Sequence, residues 1–243
     1  MSLTRIVKHL IKKVPGVVPA ASAFRAWQER QRLKGKTASE IFEDCYRNNR
    51  WEGDESVSGP GSSLEQTRVL SAEIPKMIRT MAIDSILDVP CGDFNWMRHV
   101  DLCGATYIGA DIVADLVAQN QSRHGNANIR FVRLDLLKDA LPRMDLVICR
   151  DCMIHFSDKD TFLALRNICR SQGRYLLTTI FTSTLTNLDI ETGQWRALNL
   201  QGSPFGLPTP LKLIVEECSE GGGRYKDKSM GLWRVADILA AIK

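Results

Sequence analysis

The chain is predicted to be an α/β protein, a mostly parallel sheet with helices on both faces and a late antiparallel strand pair. Three observations predict it. Short apolar runs alternate with stretches of helical spacing from about residue 86 to residue 181, the pattern of strands joined by crossing helices. The first run, Ile86 to Val89, leads into a tight turn at Cys91-Gly92. A strand, a glycine turn and a helix is how such proteins hold a nucleotide beyond the carboxyl ends of their strands. Three successive runs close on an acid, Asp88, Asp111 and Asp135, and a parallel sheet sets such ends along one rim.

The 243 residues suit one α/β domain with appendages, and 44% apolar residues suffice for a sizeable core. Residues 1–36 hold nine Lys and Arg against the single acid Glu29, so the +4 of the whole divides into +8 there and −4 elsewhere. Leu3, Ile6, Val7, Leu10, Ile11 and Val14 recur at helical spacing among Arg5, Lys8, Lys12 and Lys13 before Pro15-Gly16. This reads as a basic amphipathic helix. It suits either an anchor on an anionic membrane or docking on its own domain or on a second copy in a homodimer. An acidic body argues against extensive nucleic-acid contact. No apolar run is long enough to span a bilayer. Ala21-Ser22-Ala23 looks like a signal cleavage site, but the short stretch before it is broken by Pro15 and Pro19, which argues against secretion. Seven irregularly spaced cysteines point to reduced thiols and a cytoplasmic protein, peripheral at the inner face of the membrane if the arm binds lipid. Cys149 and Cys152 form a C-x-x-C without a second pair and read as buried small side chains.

Taken in order, a helix is expected from about Glu40 to Asn48, capped by Thr37 or Ser39. Residues 49–63 are rich in Gly and Ser yet carry Trp51, Glu52, Asp54 and Glu55, and read as a loop that folds over a ligand. Ser63 is expected to cap a helix of about Leu64 to Met81, bent at Pro75. Asn95-Trp96 opens a helix after the first strand. Tyr107 to Asp111 is the second strand, Ile112 to Arg123 a helix, and Ile129 to Asp135 the third strand. Met144 to Asp151 is the fourth, Asp158 to Arg170 a helix, and Tyr175 to Phe181 the fifth. Residues 182–210 form a long connection with Pro204, Pro208 and Pro210, read as a lid. Leu211 to Cys218 and Leu232 to Val235 are the late pair, joined through Gly221-Gly222-Gly223-Arg224-Tyr225-Lys226.

At the rim, Asp111 is placed to accept two hydrogen bonds from a ribose diol. Asp135 and the backbone of Leu136 can read an adenine amine. Asp88 and the Gly92 turn face a ligand end bearing an ammonium group. Leu87-Asp88-Val89-Pro90-Cys91-Gly92-Asp93-Phe94 resembles the first motif of the class I S-adenosylmethionine-dependent methyltransferases, L-D-x-G-C-G-x-G, with Pro90 and Phe94 in place of two glycines. Asp111, Asp135 and the segment Asp145 to Cys149 match that family's second, third and fourth motifs in order. The resemblance covers about residues 64–181 and implies a Rossmann-like seven-stranded domain over residues 37–243 with S-adenosylmethionine as cofactor. It places the cofactor against Asp88, Pro90, Cys91, Gly92, Asp93 and Trp96, then Asp111, Ile112, Asp135, Leu136 and Arg150, with Trp51 and Ser58 over it. The stretches 51–63, 149–157 and 227–233 look like a bacterial subgroup associated with surface-glycan biosynthesis. The whole chain also resembles the nodulation-factor methyltransferases that act on the fucose 2-hydroxyl of a lipo-chitooligosaccharide.

A sugar hydroxyl must lose its proton as it is methylated, which asks for a base. The loop after the fourth strand offers His155 and Asp151; His155 can instead cap or pack, and Asp151 can orient it or bind the acceptor. Arg150, Trp195, Arg196, Asn199 and Phe205, with Gln201, are the expected acceptor contacts, and Tyr46 and Trp51 can line the pocket. Arg150 and Arg196 leave open a second reading, a small organic acid methylated to its ester. A nicotinamide dehydrogenase is disfavoured by the missing G-x-G-x-x-G, and a non-catalytic binding protein leaves the rim acids unexplained. No metal cluster is evident, although Asp135 with Asp151 can in principle hold Mg²⁺.

Overall fold

The computed structural model describes residues 27–242. The chain divides into two units, Met1–Thr37 and Ala38–Lys243, and in the first of these residues 27–33 are helical. The basic repeat of Leu3 to Val14 lies outside the described residues.

The second unit is built on a seven-stranded sheet in the order β3-β2-β1-β4-β5-β7-β6. Its strands are β1 (Ser85–Asp88), β2 (Thr106–Asp111), β3 (Ile129–Arg133), β4 (Leu146–Cys149), β5 (Tyr175–Phe181), β6 (Lys212–Val215) and β7 (Lys228–Arg234). The first five run parallel; β7 is antiparallel to both β5 and β6. The longer helices are α1 (Ala38–Arg47), α2 (Arg68–Met81), α3 (Ala114–His124), α4 (Asp158–Arg170) and α5 (Val235–Ala241). The chain winds outward from β1 to β3, then crosses to β4 on the other side of β1, so the switch point lies between β1 and β4. Ligands of open α/β sheets bind at such a point, beyond the strand carboxyl ends.

Alternation along buried strands divides the core between two faces. Ile86, Tyr107, Leu146 and Ile148 pack with Leu70, Ile74, Met77 and Ile78 of α2. Leu87, Ile108 and Val147 pack on the other face with Ala164, Leu165 and Ile168 of α4 and Ile238 of α5. Each such aliphatic side chain contributes about 1.5–3 kcal/mol on full burial.

Several elements depart from the sequence expectation. Ser39 lies inside α1 and donates to Glu43. Ser63 caps a separate turn, because Leu64 N–H is taken by Glu55 (2.9 Å) and α2 begins only at Arg68. Pro75 does lie inside α2. No full helix follows β1: only Met97–His99 makes a 3-10 turn. Phe94 adopts φ 58°, which interrupts any right-handed run at that point. β3 stops at Arg133 and β4 at Cys149, so Asp135 and Asp151 sit in the loops beyond. Asp145 precedes β4 on the opposite rim, where it accepts from Asp84 N, Ser85 Oγ and Arg174. β7 runs through Lys228 and Ser229, and Val235, expected in a strand, opens α5 instead. The connection 182–210 has no helix or strand, yet Leu198, Leu200, Phe205 and Leu207 are core residues. Much of it is fixed packing and not a free lid.

Candidate active site

A cavity of about 400 Å³ opens above the carboxyl ends of β1, β2 and β4, within the roughly 300–1,000 Å³ of small-molecule sites. Asp88, Asp111 and Asp135 all border it. Asp111 ends β2 and is pinned by the turn beyond β1: Gly92 N–H donates to Oδ2 (3.1 Å) and Val113 N–H to Oδ1 (3.0 Å). Burial raises its pKa to about 6 against the pull of those donors. Asp88 ends β1 and accepts the Tyr107 hydroxyl at 2.6 Å; burial pushes it to about 7. Two buried acids raised in this way suit a ligand bringing hydroxyl or cationic donors, which favour the ionised form. Asp135 Oδ1 accepts from Leu137 N–H (2.9 Å), and Lys138 lies 3.2 Å from Oδ2. The carbonyl of Leu136 accepts from Asn167 (2.8 Å), and the Asp135 carboxylate is a further acceptor for an amine in this corner.

Residues 51–62 form a strap over the cavity. Asp93 holds its middle, accepting Ser56 Oγ (2.8 Å) and Val57 N–H (3.0 Å). Glu55 accepts from Asn95 Nδ2 (2.7 Å), and the Gly61 carbonyl accepts from Arg150 (2.9 Å). Gly92 is required beneath it: φ is +55°, and a Cβ there would lie 2.1 Å from Ser58 Oγ. The expected cofactor contacts Trp51, Ser58, Pro90, Cys91, Gly92, Asp93, Trp96, Ile112, Leu136 and Arg150 all line this one cavity, as does Tyr46.

His155 and Asp151 also line it but differ in kind. His155 lies in a 3-10 turn after β4 and is gripped by the connection: Gly193 N–H donates to its carbonyl (2.8 Å), and Nδ1 lies 2.9 Å from Gln194 O. A carbonyl only accepts, so Nδ1 carries the proton and Nε2 keeps a lone pair. Burial lowers the imidazole pKa from its ordinary 6.5, so the ring is neutral at pH 7. Trp51 packs 6.1 Å from it, centroid to centroid. Asp151 is unsuited as a base. Lys228 Nζ at 2.6 Å and Arg150 at 3.2 Å hold its carboxyl well below the usual range despite burial. It is left as a fixed negative charge at the edge of the cavity.

Arg150 and Lys228 are themselves committed. Arg150 forms a two-point pair with Glu216 (2.6 and 3.3 Å), their side chains only 4% and 1% exposed. Arg150 therefore walls the cavity without a free fork for a carboxylate. Arg196, Asn199 and Phe205 do not line the cavity. Arg196 is buried against Asp158, the Phe156 carbonyl (3.0 Å) and the Leu188 carbonyl (2.8 Å), over the ring of Phe205. Asn199 donates to Thr184 O (3.0 Å) within the connection. These side chains shape the connection, and of the acceptor set only Trp195 and Arg150 reach the cavity. Sequence reasoning missed Lys228, Glu216, Glu220, Phe181 and Tyr225; a charged residue entering the buried strand β7 was the available signal for Lys228. Cys149 and Cys152 are buried free thiols. Among the described residues no group of three or more His, Cys, Asp or Glu is arranged to hold a metal ion, and Asp135 and Asp151 are each engaged with lysine.

Residues 86–173, from β1 through α4, match the methyltransferase domain family. No curated protein matches the chain by sequence. Among solved structures, human N-acetylserotonin methyltransferase in complex with SAM superposes with a TM-score of 0.56 at 15% identity, over 87% of this chain and 67% of that one. The 1,6-didemethyltoxoflavin-N1-methyltransferase of Burkholderia thailandensis gives 0.56 at 15% identity, over 85% and 89%. The PH0226 protein of Pyrococcus horikoshii gives 0.51 at 16%, over 79% and 98%. These likenesses establish the fold: a Rossmann-like methyltransferase sheet with its antiparallel C-terminal pair.

Proposed function

We propose that the protein is an S-adenosylmethionine-dependent O-methyltransferase acting on a sugar hydroxyl of a glycan or lipo-oligosaccharide. The observation that carries the reading is His155. It is neutral, fixed through Nδ1 with Nε2 left over, and lines the same cavity as the rim acids. The family match over 86–173 supports methyl transfer. The human neighbour was crystallised with SAM and the Burkholderia neighbour with S-adenosylhomocysteine, in keeping with the acids found here. The sulfonium of bound S-adenosylmethionine supplies an electrophilic methyl group.

The chain's own residues do the rest. Asp111 accepts from a ribose diol while Gly92 N–H and Val113 N–H hold its orientation. Asp88 offers negative charge to an ammonium group, and Asp135 reads an adenine amine. The strap covers one side of the cleft. His155 Nε2 takes the proton of the acceptor hydroxyl as the oxygen attacks, and Gln194 O steadies the imidazolium that results. Asp151, fixed by Lys228 and Arg150, lends that cation negative charge. The resemblance to nodulation-factor enzymes makes the 2-hydroxyl of fucose the first acceptor to try. The ester-forming alternative loses its support here, because Arg150 and Arg196 are both paired internally.

Seven free thiols favour a reducing compartment, so we place the reaction in the cytoplasm. Among the described residues no helix is long and apolar enough to cross a membrane. Contact of residues 1–36 with an anionic membrane is proposed from their charge alone; equal liposome partitioning of the full chain and one lacking those residues would reject it. Titration with S-adenosylhomocysteine and with NAD tests the cofactor. Binding of the first and not the second is expected; the reverse would overturn the methyltransferase reading in favour of a nicotinamide-binding one.

A further inference from the structure

Beyond His155, the cavity carries a wall that the methyl-transfer chemistry does not use. Phe181 at the end of β5, Trp195 in the connection and Tyr225 before β7 border the cavity as a mutually packed trio. The Trp195 and Tyr225 rings lie 5.0 Å apart at 60°, and Phe181 braces both edge-on at 5.9 and 5.8 Å. Trp195 remains 43% exposed. Backbone contacts fix the wall beside the base. Arg196 N–H donates to Ile154 O (3.0 Å), which sets Trp195 next to His155, and Lys228 N–H donates to Tyr225 O (3.0 Å).

The triple glycine has a physical purpose here. Gly221, Gly222 and Gly223 all have φ between +62° and +81°. A Cβ on Gly221 would lie 2.9 Å from the Tyr225 ring, so the ring packs closely on bare backbone. The same loop delivers Glu220. Its carboxylate borders the cavity beside Gly61, and its hydrogen-bond partner among the described residues is only the Cys218 thiol, at 3.6 Å. Trp195 Nε1–H and the Tyr225 hydroxyl have no partner among the described residues.

We propose that Trp195, Tyr225 and Glu220 form the acceptor subsite, stacking one uncharged pyranose ring beside the hydroxyl to be methylated. This rests on the reading of the cavity as a methyl-transfer site. Rings that are apolar on the face and polar at the tip suit a sugar, whose C–H face packs on them while its hydroxyls reach their donors. Glu220 accepts from a further hydroxyl. An acidic sugar is disfavoured: Arg150 and Lys228, the lysine and arginine lining the cavity, are both paired. A methylated ammonium would also suit the rings and Glu220, but it would use neither tip donor, whereas the hydroxyls of a sugar engage both, so the sugar is the better fit.

The test is saturation-transfer NMR on the full chain loaded with S-adenosylhomocysteine, using methyl α-fucopyranoside, methyl glucopyranoside, methyl glucuronide and choline as probes. Transfer to the ring C–H protons of at least one neutral glycoside is expected. Trp195→Ala should weaken that binding roughly tenfold, about 1.4 kcal/mol, and Tyr225→Phe about threefold. Both variants should keep wild-type affinity for S-adenosylhomocysteine. Failure to load S-adenosylhomocysteine would count against the methyltransferase reading itself. A loaded protein that binds no neutral glycoside, prefers choline or the glucuronide, or is indifferent to both substitutions would overturn the subsite.

Discussion

His155 has one nitrogen committed and one left over, and the pH dependence of the reaction follows from that. With His155 as the proposed base, the neutral ring is the active form. Because burial lowers its pKa below the ordinary 6.5, turnover at saturating S-adenosylmethionine, where the bound ligand already holds the rim acids ionised, should fall only as pH drops below that value and stay flat above it. A rate–pH profile with its acid limb centred above 7 would contradict this. His155→Ala should reduce turnover about 10²–10⁴-fold, the usual share of general-base catalysis, with S-adenosylhomocysteine affinity unchanged in calorimetry. Asp111 gives the complementary effect on binding. Its carboxyl, raised to about 6, must ionise to accept both ribose hydroxyls, so affinity should rise with pH through that value. Asp111→Ala should weaken binding by about tenfold or more, since a hydrogen bond to a charged group is worth about 1.5–3 kcal/mol. Asp88, Asp111 and the Gly92 turn were legible in the sequence because their chemistry depends on position along a strand, which periodicity reveals. That Asp151 is clamped by two cations, which favours the orienting role over the base, was not legible. It depends on Lys228, 77 residues further along, which only the sheet brings near.

At the scale of elements, the strap over residues 51–62 is tied down by Asp93, Asn95 and Arg150. Asp93→Ala removes two of those ties at once. Limited proteolysis should then cut within 51–62 faster, and S-adenosylhomocysteine should bind more weakly; an unchanged cleavage rate would show that the strap closes without Asp93. The Arg150–Glu216 pair joins β4 to the segment after β6 inside the core. Removing Glu216 leaves the buried Arg150 with Asp151, a carboxylate it shares with Lys228, so Glu216→Ala should cost up to about 3–5 kcal/mol of stability, read as a shift in chemical denaturation midpoint. The strands and α4 were readable because their apolar periods are clean. The short turn after β1 was not, because Phe94 holds a left-handed φ that glycine takes freely. Its ring compensates by packing 5.0 Å from Phe131 and 5.2 Å from Tyr107. α5 was missed because Val235, reasonable as a strand residue, is where β7 already ends.

Over the whole molecule, the buried rim acids link the unliganded fold to pH. Asp88 titrates at 3.8 when unfolded and at about 7 when folded. Between those values the folded chain binds more protons, so this contribution is fully present below 3.8 and is lost as pH rises through about 7. Asp88→Asn lacks that titration and should gain stability relative to the wild type from pH 5 to pH 8; parallel denaturation curves at both pH values would exclude it. A donor-rich ligand stabilises the ionised acids and so offsets the loss, which ties folding of the rim to occupancy of the cavity. The central claim is methyl transfer to a hydroxyl. It is tested most directly by incubating the protein with S-adenosylmethionine deuterated in its methyl group and an acceptor set of fucosylated oligosaccharides, other glycans and small carboxylic acids. Products are weighed by mass spectrometry before and after mild base. The expected result is a base-stable deuteromethyl gain on a sugar that is lost in His155→Ala. A gain on a carboxylic acid that mild base removes, or transfer that persists undiminished without His155, would contradict it.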